Sequence, residues 1–191
     1  DSSMLNHFKC LAPAHFDRGS PTDDWDWMFT AQHYGLPTRL LDWTESLSTA
    51  LFFAVGESSV RKRPTPPALP KKKSVTTTIP CIWMIDGAAL NRITTKEYNV
   101  LVVGGDFAAN WLPTNCKRGK AKKFRYEGKQ YNNRLPVAIF PKRTTSRIIA
   151  QSGVFTVHGA SPSALDEVFR KAPGKYQRIL RIDLVDPELI Q

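Results

Sequence analysis

Apolar residues first recur at helical spacing in residues 22–35. Trp25, Met28, Phe29 and Gln32 fall at i, i+3, i+4 and i+7. Thr22, Asp23 and Asp24 precede them, offering a capping hydroxyl and acids suited to the positive end of a helix dipole. Gly35 stops this helix, and Pro37 forces an extended path through Thr38–Trp43. A second helix follows, capped by Thr44 or Ser46. Leu47, Ala50, Leu51 and Ala54 form its inner face, Phe52, Phe53 and Val55 widen that face, and Gly56 ends it. It is apolar nearly all round and is expected deep in the core.

Short apolar runs then predict strands at Ile79–Ile85, Val100–Val103, Leu135–Phe140, Arg147–Gln151 and Val154–His158. Ser161–Lys171 reads as a helix capped by Ser161 or Ser163. Ile179–Leu184 alternates as a half-buried strand, and Asp186-Pro187 resembles a cap followed by the first residue of a helix. Helices come first, then mostly strands with one late helix. That order predicts an α+β fold, with N-terminal helices packed on a mainly antiparallel or mixed sheet. It argues against a doubly wound sheet, which needs regular β–α alternation.

Composition narrows the class. With 191 residues, 41% of them hydrophobic, the chain can bury one full core as a single domain. Its three cysteines, Cys10, Cys81 and Cys116, are too few and too scattered for a disulfide framework, and no ligand spacing suggests a structural zinc. A reducing, intracellular compartment, cytoplasm or nucleus, is expected. No apolar run of 18 residues is present, so no membrane partner is expected, and no signal peptide opens the chain. Both ends are abrupt, as in a domain trimmed from a longer protein. The dinucleotide, phosphate-loop and serine-hydrolase motifs are all missing.

The net charge of +10 is local. Residues 61–73 carry +6 and four prolines, and read as an extended, solvated loop. Residues 117–134 carry +7 and interleave Phe124, Tyr126 and Tyr131 with their cations. The remaining 160 positions are net negative, at −3. Both basic stretches read as insertions, either solubilising or in contact with nucleic acid, DNA or RNA. In the second, Lys117, Arg118, Lys120, Lys122, Lys123 and Arg125 are the candidate phosphate contacts, with the aromatics available to stack on bases.

Residues 32–46 embed polar groups in apolar sequence: QHYGLPTRLLDWTES. Arg39 and Asp42 stand among Leu40, Leu41 and Trp43. On a regular strand they point to opposite faces, so each needs another partner or a ligand. One reading is a satisfied polar network tying the helix end to the strand. The other is a site, because His33, Thr44 and Ser46 converge on the same element.

This stretch, followed by Ala50-Leu51-Phe52-Phe53-Ala54, resembles the central signature of the FRG domain family. The likeness continues at Ile82–Ile85, Asp86-Gly87 and Leu90-Asn91. It returns at Arg147-Ile148-Ile149-Ala150-Gln151-Ser152-Gly153-Val154-Phe155-Thr156, and so spans roughly residues 22–190. The family is named for a Phe/Tyr-Arg-Gly motif. The nearest counterpart, Phe16-Asp17-Arg18-Gly19, is interrupted by an acid and reads as coincidence.

The family's motif order is similar to that of the ADP-ribosyltransferase superfamily. That resemblance implies NAD as substrate. It places Thr44-Glu45-Ser46 at the strand end before a helix, and Gln151 near the position of the usual catalytic Glu. Gln151 and His33 are the implied catalytic residues. Arg39, Asp42, Thr44, Ser46 and Arg147 are the implied cofactor contacts. A glutamine can orient a ribose hydroxyl but carries no charge, so Asp42 or Glu45 must supply the carboxylate if either faces the pocket. The alternative is a non-catalytic module that binds nucleic acid through its basic insertions.

Overall fold

A computed structural model describes residues 2–15, 21–60, 79–143 and 146–184. The proline-rich basic loop at 61–73, Phe16–Gly19 and Asp186-Pro187 lie outside them.

Two helices open the chain: α1 (Ser2–Leu11) and α2 (Asp24–His33). The first was not signalled by the hydrophobic pattern, because it buries only Leu5. In α2 the cap is Asp23, not Thr22; its carboxylate accepts from the Asp26 amide at 2.9 Å. Gly35, at φ +82°, turns the chain away after the helix. Strand β1 (Leu40–Thr44) and helix α3 (Leu47–Val60) follow. Then come β2 (Cys81–Ile85), α4 (Gly87–Thr95) and β3 (Leu101–Val102). The basic stretch 117–134 forms a hairpin, β4 (Lys123–Tyr126) and β5 (Lys129–Asn132). Its turn residues Glu127 and Gly128 both have positive φ, the geometry that matches strand twist in a two-residue loop. The chain continues through β6 (Val137–Phe140), α5 (Ser146–Ala150), β7 (Gly153–Val157), α6 (Leu165–Arg170) and β8 (Ile179–Asp183).

A four-stranded mixed sheet, in the order β1-β7-β6-β3, is the centre of the molecule. Only β3 and β6 run parallel; Leu40 on β1 pairs with Val157 on β7, and Thr44 with Gly153. Strands β2 and β8 pair as a separate antiparallel ribbon. Side-chain alternation splits the core in two. On one face Leu40, Val137, Ile139 and Val157 pack against Trp25 and Met28 of α2 and against Trp111. On the other, Ala138 packs with Ala89 and Leu90 of α4 and with Leu165, Val168 and Phe169, flanked by Trp43 and Ile85.

Strand β3 is too short to satisfy all of β6. The fully buried Asn91 completes the job: its amide donates to the Ala138 carbonyl at 2.9 Å, and its carbonyl accepts from the Ala138 amide at 2.7 Å. A second donation, to the Asn99 carbonyl at 2.7 Å, fixes the loop leading into β3.

The fold is α+β with a mixed sheet, and several local expectations fail. Helix α6 starts only at Leu165, with Ala164 as its cap and no capping side chain, rather than at Ser161 or Ser163. Residues 147–150 lie in helix α5, and Gln151 lies in the turn before β7, not on a strand. The short apolar run Ile148-Ile149-Ala150 fits one helical turn as well as a strand, and its length cannot arbitrate. Helix α3 runs past Gly56 to Val60 and is not deep in the core. Leu47, Phe52 and Val55 are 61%, 71% and 53% exposed. Among the described positions of α3, the small Thr49, Ala50, Ala54 and Gly56 are half-buried, and the large side chains are left outward.

Candidate functional site

A cleft of about 290 Å³ opens between the central sheet and β2. Trp43, Ala138, Phe140, Val154 and Thr156 form its sheet wall. Ile82, Trp83, Met84 and Ile85 form the opposite wall. Three of its polar residues, Thr44, Glu45 and Ser46, sit together at one end, where they link β1 to α3, and Thr156 lies in the sheet wall. Such a mainly apolar hollow with a few placed polar groups has the character of a small-molecule site.

That polar end is held from several directions. The Thr44 hydroxyl donates to the Gln151 carbonyl at 2.6 Å and accepts from the Ser46 amide at 3.0 Å. The Glu45 amide donates to the Ser152 carbonyl at 3.1 Å. Ser46 caps α3: its hydroxyl accepts from the Thr49 amide at 3.3 Å. The Glu45 carboxylate meets the Arg143 guanidinium at 3.2 Å. The cleft also touches Leu47 and Gly87, the first residues of α3 and α4, so two helix N-termini border it. At Gly87 a Cβ would come within 3.0 Å of the Ala138 Cβ, and glycine keeps α4 close to the sheet here.

Of the residues singled out from the sequence, Thr44 and Ser46 line this cleft, and Glu45 joins them. His33, Arg39, Asp42 and Gln151 are not among its lining. His33 ends α2, exposed, its ring edge-on to Tyr34 at 5.4 Å. Asp42 accepts from the Gln32 amide at 2.6 Å, and Thr38 donates to the other end of that same Gln32 amide group. The polar network between helix end and strand is therefore real, and Asp42 belongs to it. Arg39 is buried beside Cys116 and His158. Burial pushes the Cys116 thiol up despite that guanidinium, and burial together with Arg39 holds His158 below its ordinary value. Gln151 reaches the cleft rim through its backbone carbonyl on Thr44. Arg147 falls in α5.

The long signature at 32–54 places its two halves in different surroundings, one in a polar tie and one at a cleft. Residues 1–63 match the FRG domain family. The FRG match covers α1, α2, β1 and α3, and with them Thr44, Glu45 and Ser46. It stops before β2, β6 and β7, which supply most of the cleft walls. No curated protein and no solved structure matches the chain. Reading the sequence missed Arg143 and Trp83. Arg143 carries no local pattern, and Trp83 reads as an ordinary strand residue.

The six candidate cations of the hairpin region, Lys117, Arg118, Lys120, Lys122, Lys123 and Arg125, are all exposed. The aromatics are not free beside them. Phe124 and Tyr131 stack at 5.8 Å and pack with Phe107, 5.6 and 4.9 Å from the two rings. Trp111 meets Phe124 at 5.8 Å, and Tyr126 lies edge-on to Phe107 at 5.1 Å. Phe124 and Tyr131 therefore anchor the hairpin to the body of the protein, while Tyr126, on the same face, stays 36% exposed.

Proposed function

We propose that this chain is an FRG domain that binds NAD in the cleft and transfers ADP-ribose to an acceptor. The observation that supports this most is the presence of Thr44, Glu45 and Ser46, at the start of α3, on the lining of a mainly apolar hollow. The hollow suits a flat nicotinamide ring between its walls. The start of α3, with Arg143 nearby, suits the pyrophosphate. Its volume is near the lower end of small-molecule sites, roughly 300–1,000 Å³, so it takes the nicotinamide-ribose half while the adenylate half extends past the mouth.

In this reading Glu45 replaces Gln151 as the group facing the reacting ribose. The bond between the ribose anomeric carbon and the pyridinium nitrogen breaks, and its electron pair leaves with neutral nicotinamide. The acceptor's nucleophile bonds to that carbon and releases a proton, which the Glu45 carboxylate or solvent receives. A carboxylate near the ribose also stabilises the positive charge that develops there. Gln151 acts through its carbonyl as a positioning residue, by fixing Thr44.

The test is nicotinamide release and adduct mass, with the full chain offered DNA, RNA or protein extract. Turnover is expected, and Glu45→Gln is expected to lower it at least 100-fold with NAD affinity kept within threefold. Release equal to wild type in Glu45→Gln removes that residue's role. Absence of NAD binding by calorimetry together with absence of release on every acceptor overturns the reading.

A further inference from the structure

The hairpin is a rigid part of the body, and its outer surface is chemically one-sided. Cross-strand pairs set the two faces: Phe124 and Tyr131 pack on the body, with Tyr126 and Lys129 on the same face toward its exposed tip, while Lys123, Arg125, Gln130 and Asn132 turn outward. Among the described residues, none of the six cations from Lys117 to Arg125 forms an ion pair, whereas Lys129 is held by Glu97 at 2.8 Å. The base of the hairpin is fixed. The fully buried Asn133 accepts from the Lys122 amide at 2.7 Å and donates to the carbonyls of Asn110 and Asn115 at 2.7 and 3.2 Å. The Gly119 amide donates to the Ala160 carbonyl at 2.7 Å, tying down the turn that bears Lys117, Arg118 and Lys120.

We propose that this outer face binds duplex nucleic acid through its phosphate backbone. Six exposed cations, Lys123 and Arg125 on the ribbon and Lys117, Arg118, Lys120 and Lys122 in the tied-down turn leading into it, with no ion pair among the described residues, fit a regular polyanion and lose little conformational freedom on contact. The inward aromatics argue against the two other anionic surfaces. Single strands are held on exposed aromatic platforms, and bilayers by aromatic or apolar side chains inserted at the interface. The outer face of this hairpin offers neither. The inference goes beyond the cleft reading and does not depend on it, because a chain inert toward NAD still binds duplex by this face.

The experiment is fluorescence anisotropy of the full chain with a 20-base-pair DNA duplex, an RNA duplex of the same sequence, a single-stranded thymidine 20-mer, and vesicles of phosphatidylserine and phosphatidylcholine. Duplex binding is expected, tighter than to the thymidine strand or the vesicles. Its logarithmic salt slope should reach up to about 5, since each phosphate contact contributes about 0.9. The DNA and RNA arms distinguish the two duplex sources. Combined Lys117→Ala, Lys120→Ala, Lys123→Ala and Arg125→Ala should weaken duplex binding at least tenfold. Combined Lys96→Ala, Lys171→Ala, Lys175→Ala and Arg178→Ala, an equal loss of charge elsewhere, should weaken it less than threefold. The control set also removes the Lys171–Glu167 and Arg178–Asp86 pairs, so both variants are compared only after melting curves show a wild-type cooperative fold at the assay temperature. Equal losses in the two variants, tighter binding to the single strand, or preference for the vesicles would each overturn the proposal.

Discussion

Asn91 does the work of a missing piece of strand. Its side-chain amide meets both backbone groups of Ala138, which β3 is too short to reach. Truncating it leaves a buried donor and acceptor unpaired, each worth roughly 1–3 kcal/mol. Asn91→Ala is therefore expected to cost about 2–5 kcal/mol in urea unfolding, far more than its volume alone would suggest. His158 carries a pH dependence of definite sign. Burial, then the Arg39 charge, holds it below its ordinary 6.5 in the folded chain. Below about pH 6.5 the unfolded chain takes up a proton that the folded chain refuses, so stability falls as the pH drops, and levels off once the folded form also titrates. His158→Gln should flatten that slope between pH 6.5 and 5. Glu97 and Glu167 cannot mask it. Hydrogen bonds from Lys129 and Lys171 hold them below an ordinary 4.5, so their contributions fade only at lower pH.

At the scale of elements, strong local signals were readable and partner-dependent ones were not. Helix α2, its glycine stop and the strands β1, β2, β6, β7 and β8 could be read from local apolar runs, although β8 does not bury alternate residues as expected: only Ile179 is half-buried and 180–183 are exposed. Helix α3 could be read as a helix but not as an exposed one. A uniformly apolar segment says nothing about which side meets the sheet, and here the small residues do. The contrast is measurable. Phe52→Glu, on the outward side, should change unfolding free energy by about 0.5 kcal/mol or less. Met28→Ala, on the fully covered side of α2, should cost about 2–5 kcal/mol. The basic stretch 117–134 hid a hairpin because its cations mask the alternation of Phe124 and Tyr126 with Lys123 and Arg125. At the cleft, Thr44 and Ser46 could be found from their place before a helix. Its walls could not, because they join four strands, β1, β2, β6 and β7, that are far apart in the chain.

The molecule as a whole keeps its charge and its candidate chemistry apart. The six candidate cations lie in a turn and on a hairpin anchored by aromatics, and a largely apolar cleft lies between the sheet and the β2–β8 ribbon. The pairing of β1 with β7 has a further consequence, for the order of folding. Leu40 and Thr44 wait for Val157 and Gly153, more than a hundred residues later in the chain. Closing so long a loop costs entropy before any strand contact returns it, which slows folding. During synthesis β1 and the apolar α3 emerge early, and β1 has an open edge until β7 arrives. A ribosome that stalls after residue 63 would release the whole stretch that matches the FRG family with no strand to close it. Such a fragment is a natural target for chaperones and proteases.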